Sequence, residues 1–224
     1  MGKKNFSESV IKILHDFKFE YWKEPERYQI PIVQDNKKIA YLRPVTADLR
    51  DEKETIIQLL ARWREEHWQA YPTVFRVTIE GTEKWWRSQL VERPDRILFF
   101  VMSLDNRPIG HLGLSNFNFE AKEAEIDNVV RGEAQMIPGV MTSALLALDD
   151  WAFSVLGLKR LFLRVFYDNE RAIRLYERCG FIGVKKIPLH KFVEGDSIKY
   201  EEIKEGESLS IDRYFYLMEI RQKI

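Results

Sequence analysis

Apolar residues recur at two spacings along this chain, and the switches between them mark its elements. In SESVIKILHDFKF, Val10, Ile13, Leu14 and Phe17 fall three or four positions apart, which predicts a short amphipathic helix. The following YWKEPERYQIPIVQDNKK is polar and proline-punctuated, and reads as an irregular connection. KIAYLRPV is then a strand stopped near Pro44. A helix is expected from Asp48 to His67, with Ile56, Leu60 and Trp63 on one side. TEKWWRSQLVE is expected to be a second helix, capped by Thr82.

Alternation at period two takes over next. RILFFVMS and RPIGHLGLSNFNF read as strands joined across the turn residues Asp105 and Asn106, with KEAEIDNVV a third. In GVMTSALLALDDWAFSVLG the helical spacing returns through Met141, Leu145, Leu148, Ala152 and Val155, and Gly157 closes the helix. LKRLFLRVF is a strand in which Leu161, Leu163 and Val165 alternate against Phe162, Arg164 and Phe166. YDNERAIRLYERCGF is the next helix, completing a strand–helix–strand–helix unit whose crossover should be right-handed. KKIPLHKFV and RYFYLMEI supply further strands. Residues 1–38 form an N-terminal extension, and residues 39–224 form the main domain.

Composition narrows the function classes. With 45% apolar residues in 224, the chain can bury a sizeable core. Its 35 basic and 35 acidic residues cancel, whereas a duplex-binding protein needs a basic excess, so no nucleic-acid partner is expected. Cys179 is the single cysteine, which excludes an internal disulfide and a cysteine-cluster zinc site; no metal is expected. No apolar run reaches the ~18 residues of a membrane span, and MGKKNFSESV lacks an apolar signal core. A soluble, cytoplasmic protein is the expectation.

The informative segment is DNERAIRLYERCGF. Asn169, Ala172, Leu175, Tyr176, Gly180 and Phe181 match N-x-x-A-x-x-L-Y-x-x-x-G-F, a pattern of the GNAT superfamily of N-acetyltransferases. GVMTSALLALDDWAF is similar to the helix that follows that superfamily's pyrophosphate loop, and AEIDNVV to its central strand. The resemblance covers roughly residues 40 to 220. It implies a mixed α/β fold, with a central, mostly antiparallel sheet of six to seven strands and helices on both faces. One departure stands out. The superfamily loop reads Arg or Gln, two residues, Gly, one residue, then Gly or Ala, but MIPGVM places Met136, Gly139 and Met141 there, and Gln135 misses by one.

The same resemblance implies acetyl-CoA as co-substrate and a site to hold it. The loop and helix start at Pro138, Gly139, Val140, Met141 and Thr142 would point N–H groups at the diphosphate, where a helix dipole favours anions. Asn128, Val129 and Val130 would present strand amides to the pantetheine arm and the oxyanion, and Asn169 and Ala172 would line the coenzyme. Acyl transfer also needs a base for the amine and an acid for the leaving thiolate. Tyr176 is the candidate acid; on periodicity alone it fits a core aromatic as well. Glu125 is the candidate base by matched position, or else a strand carboxylate paired to Arg131 or Lys122. Asp127 shares its strand face, and His111 on the preceding strand fits a satisfied core histidine better.

Aromatic density from Trp63 to Trp86 suits stacking on an acceptor and suits helix packing equally. The leading expectation is transfer of acetyl to a primary amine, with a nucleotide-linked amino sugar ahead of a protein N-terminus as acceptor. A non-catalytic interaction module with this fold is the reading from another class. The extension could cover the core, cap the acceptor site or build a homodimer.

Overall fold

The computed structural model describes residues 5–133 and 137–222. Helix α1 (Phe6–Phe19) is followed by β1 (Ile30–Gln34) and β2 (Lys37–Pro44), then α2 (Lys53–Glu66), β3 (Thr73–Val74) and α3 (Ile79–Trp85). Strands β4 (Ile97–Ser103), β5 (Pro108–Asn118) and β6 (Glu123–Arg131) come next. Helix α4 (Val140–Ser154), β7 (Arg160–Phe166) and α5 (Glu170–Arg178) form the crossover unit. Strands β8 (Ile182–Glu194), β9 (Ser197–Glu202) and β10 (Arg213–Arg221) complete the chain.

All strands join one ten-stranded sheet in the order β1-β2-β4-β5-β6-β7-β10-β8-β9-β3. Among the described residues only β6 and β7 pair in parallel. The mostly antiparallel mixed sheet is as expected, but it has ten strands where six or seven were anticipated. The additional ones lie at its margins. β1 falls in the stretch that reads as irregular: Ile30 and Ile32 are buried, and Pro31 is tolerated because β1 is an edge strand. Asp35 and Asn36, both at positive φ, close the turn into β2. At the far margin β8 folds back on β9 through Gly195 at φ +56°, and the two-residue β3 adds to β9.

Every residue of β4 is buried, because helices cover it on both faces. Ile97, Phe99 and Val101 pack with α1 and α4, where Phe17, Phe99 and Trp151 meet pairwise at 5.0 to 5.8 Å. Leu98, Phe100 and Met102 face α2 through Ile57, Leu60 and Trp63. The 1–38 segment thus contributes Val10, Leu14 and Phe17 to the principal core. Lys18 ties it down further, its Nζ donating to the carbonyls of Leu90 and Arg93 at 3.0 and 2.7 Å.

Two helix starts differ from the sequence reading. α2 begins at Lys53 rather than Asp48, because Asp48 accepts from the Arg50 amide and Arg50 has φ +48°. α3 is capped by Thr78, whose hydroxyl accepts from the Gly81 amide at 3.0 Å, while Thr82 donates back to the Thr78 carbonyl. No helix among the described residues is long and apolar enough to cross a membrane.

Candidate active site

The site is built where β6 and β7 part. They pair only from Glu123 with Arg160 to Glu125 with Phe162, although both strands run on to Arg131 and Phe166. On its other side β6 carries one extra residue: His111 pairs with Val130 and Gly113 with Asp127, leaving Asn128 and Val129 opposite Leu112 alone. Asn128 sits at φ +51°, the left-handed region, and this bulge bends β6 away from β7. Nδ1 of His111 lies 2.6 Å from the Asn128 carbonyl oxygen.

Two cavities meet in the opening. The first, about 620 Å³, is lined by Val129 to Arg131, by Ile137 and Gly139 to Thr142, and by Asn169, Arg171, Ala172, Tyr176 and Arg178 of α5 and its start. Gly139 caps α4 at φ +74°, a conformation that suits glycine, and the first turn of the helix, Val140 to Thr142, lines this cavity. Met141 is buried, its sulfur beside Gly110 of β5, which keeps the side chain out of the path that the departed loop motif would have left open. Asn169 caps α5 by accepting from the Ala172 amide at 3.2 Å, leaving its side-chain NH2 as a donor. A helix N-terminus flanked by Arg171 and Arg178 fits a diphosphate.

The second cavity, about 750 Å³, has aromatic walls from Tyr71, Phe75, Trp85, Tyr200 and Phe215. Charges line its floor. Both oxygens of Glu125 accept from Arg164 at 2.8 Å, and Asn116 donates to the same carboxylate at 2.6 Å. Arg164 also reaches Glu202 at 2.6 Å, and these two carboxylates hold its guanidinium firmly charged. Lys199 pairs with Glu201. Asp127 accepts from Arg96 at 2.6 Å through Oδ2, and Ser115 and Asn128 lie close enough to its carboxylate to favour the charged form. The side chain is only 20% exposed, and that desolvation raises its pKa against the pull of Arg96.

Tyr176 lines both cavities, as do Val129, Val130, Asn169 and Ala172. Its phenol is buried, which pushes the pKa up and keeps the hydroxyl protonated. Among the other sequence candidates, Val140, Met141 and Thr142 line the first cavity, and Glu125 and Asn128 the second. Pro138 lines neither, and Gln135 and Met136 lie outside the described residues. Trp63 and Trp86 are core residues. Sequence reasoning missed Arg164 and Arg96 as site residues. For Arg164 a signal existed: its alternation against Leu163 and Val165 places it on the face of Phe162, the residue that Glu125 pairs with. Arg96 carried none. Among the described residues no group of three His, Cys, Asp or Glu side chains could hold a metal ion.

Comparison with known proteins agrees with this architecture. A model of the acetyltransferase (GNAT) family matches residues 60–181. A spermidine N(1)-acetyltransferase of Vibrio cholerae is 25% identical over 146 residues, 65% of this chain and 77% of that protein. An Escherichia coli spermidine N(1)-acetyltransferase is 33% identical over 93 residues, 42% of this chain but only 49% of that protein. The solved structure of the Vibrio cholerae spermidine N-acetyltransferase in complex with CoA and spermine superposes with a TM-score of 0.58. It is 21% identical, with 81% of this chain and 94% of that one covered, a likeness of fold.

Proposed function

The chain belongs to the acetyltransferase (GNAT) family and is an acetyl-CoA-dependent N-acetyltransferase, and from that premise we propose that its acceptor is a small aliphatic amine of the polyamine class. One observation carries the reading. Asp127, a largely buried carboxylate, lines the aromatic cavity that meets the donor cavity at Val129, Val130 and Tyr176. Asp127 shares this floor with Arg96, while Glu125 and Glu202 hold Arg164 and Glu201 holds Lys199, so an incoming ammonium would join an existing array of ion pairs. The aromatic walls suit the methylenes behind it. The spermidine acetyltransferases among the relatives support the polyamine class. A nucleotide-linked amino sugar, the acceptor the sequence favoured, has no support from them.

The roles follow from the geometry. Acetyl-CoA enters the first cavity with its diphosphate at the start of α4 and its thioester under Val129 and Val130. Asp127 draws in the ammonium and takes its proton, directly or through a water. The free amine forms the C–N bond at the thioester carbonyl, and strand amides meet the oxyanion. Collapse breaks the C–S bond, and the thiolate takes the phenolic proton of Tyr176. Glu125, fully engaged by Arg164 and Asn116, braces the strand junction beneath. The test is CoA release with a panel of acceptors: spermidine, spermine, a monoamine, an amino-sugar nucleotide and a peptide. Polyamines should give the highest kcat/KM; preference for the sugar or the peptide would overturn the assignment.

A further inference from the structure

Asn128 is the one residue of β6 in the left-handed region, a conformation that asparagine tolerates better than most residues. Its carbonyl faces a side chain, Nδ1 of His111 at 2.6 Å. A carbonyl oxygen only accepts, so this contact puts the ring proton on Nδ1 and leaves a lone pair on Nε2. The imidazole is 3% exposed and stacked obliquely beside Trp63, with ring centres 5.7 Å apart. A Cβ on neighbouring Gly110 would lie 2.3 Å from the Val130 carbonyl oxygen, so β5 and β6 already touch at that point.

From this geometry we infer that His111 is a positioning residue for acyl transfer, its Nδ1–H holding the Asn128 carbonyl and thereby the bulge that parts β6 from β7 at Asn128 and Val129. Without that donor the half-buried carbonyl would lose its side-chain partner. β6 would then regain its regular register against β5 and close the opening beside β7. The ring serves as a donor and not as the base: burial lowers its pKa to about 4, so it stays neutral and a poor proton acceptor in the working range. The activity arm of the inference rests on the N-acetyltransfer reading; the structural arm does not.

The first experiment therefore needs no substrate. Nitrogen-15 NMR of the imidazole in the intact protein should show the neutral, Nδ1-protonated tautomer, and an Nε2-protonated ring would overturn the inference. Three variants then separate brace from base. His111→Asn keeps an amide N–H near the Nδ1 position, His111→Gln shifts it toward Nε2, and His111→Ala removes it. His111→Asn should restore kcat to within a few-fold of the parent. His111→Gln and His111→Ala should lose on the order of 10²-fold, the scale of a 1 Å misplacement. Both should also bind acetyl-CoA more weakly by calorimetry. His111→Asn as slow as His111→Ala, or all three variants near the parent, would overturn the proposal. A protein that acetylates none of the acceptors tried would still report through the tautomer and the acetyl-CoA titration.

Discussion

Glu125 and Arg164 clasp each other across β6 and β7 with two 2.8 Å hydrogen bonds, Glu125 standing in the last pair that joins those strands and Arg164 two residues beyond its partner Phe162. The clasp stands at the apex of the opening that holds both cavities. Glu125→Gln should destabilise the protein by about 1–3 kcal/mol. That is below the range for breaking a fully buried pair, because Arg164 is 34% exposed and water screens what remains. Denaturant unfolding checks the stability. A kcat that falls without any change in the pH profile would fit a brace; loss of the acidic limb would instead return the base to Glu125.

Asp127→Asn should remove the acidic limb of the pH–rate profile. Burial raises the Asp127 pKa, so in the parent the rate should climb with pH through a point above the ordinary carboxylate range. kcat/KM for the amine should drop by about 10²–10⁴-fold, the usual contribution of a positioned base. An unaltered profile would assign proton removal elsewhere.

Tyr176→Phe keeps the ring against Phe181 and deletes only the hydroxyl. Turnover should fall by about 10²-fold while acetyl-CoA affinity, measured by calorimetry, stays close to the parent. Equal turnover would remove the phenol as the acid.

Saturating acetyl-CoA should raise thermal stability by about 2.7 kcal/mol at a hundred times its dissociation constant. Gly139→Val should blunt that gain, because a β-branched residue at φ +74° is strained and its side chain crowds the amides at the start of α4. An undiminished shift in the variant would place the diphosphate away from this helix.

Asp149 is a buried carboxyl on α4 with neither oxygen hydrogen-bonded, and desolvation raises its pKa well above the usual value. The folded state therefore holds this proton more tightly than the unfolded chain. Its contribution to stability is complete below the unfolded pKa, near ~3.9, and is lost as pH rises toward the folded value. Asp149→Leu should add about 1–3 kcal/mol at neutral pH and flatten that decline. An equally steep pH dependence in the variant would locate the proton linkage elsewhere.

Local chemistry made much of the fold legible. DNERAIRLYERCGF announces its own helix: Asn169 caps it, and Gly180 at φ +92° ends it so that the Phe181 amide can turn back to the Tyr176 carbonyl. The alternation in β7 and the spacing in α4 are likewise decided within the segments themselves. What the sequence by itself determined is thus the order of elements, the donor-side helices and the phenol between them. Tertiary structure decided the rest, because those features depend on partners far along the chain. Edge strand β1 exists by pairing with β2, and Arg96 enters the site only because it reaches Asp127, 31 residues away. The bulge at Asn128 is of the same kind: asparagine tolerates φ +51°, but its segment reads as plain strand, and a histidine 17 residues earlier meets its carbonyl there.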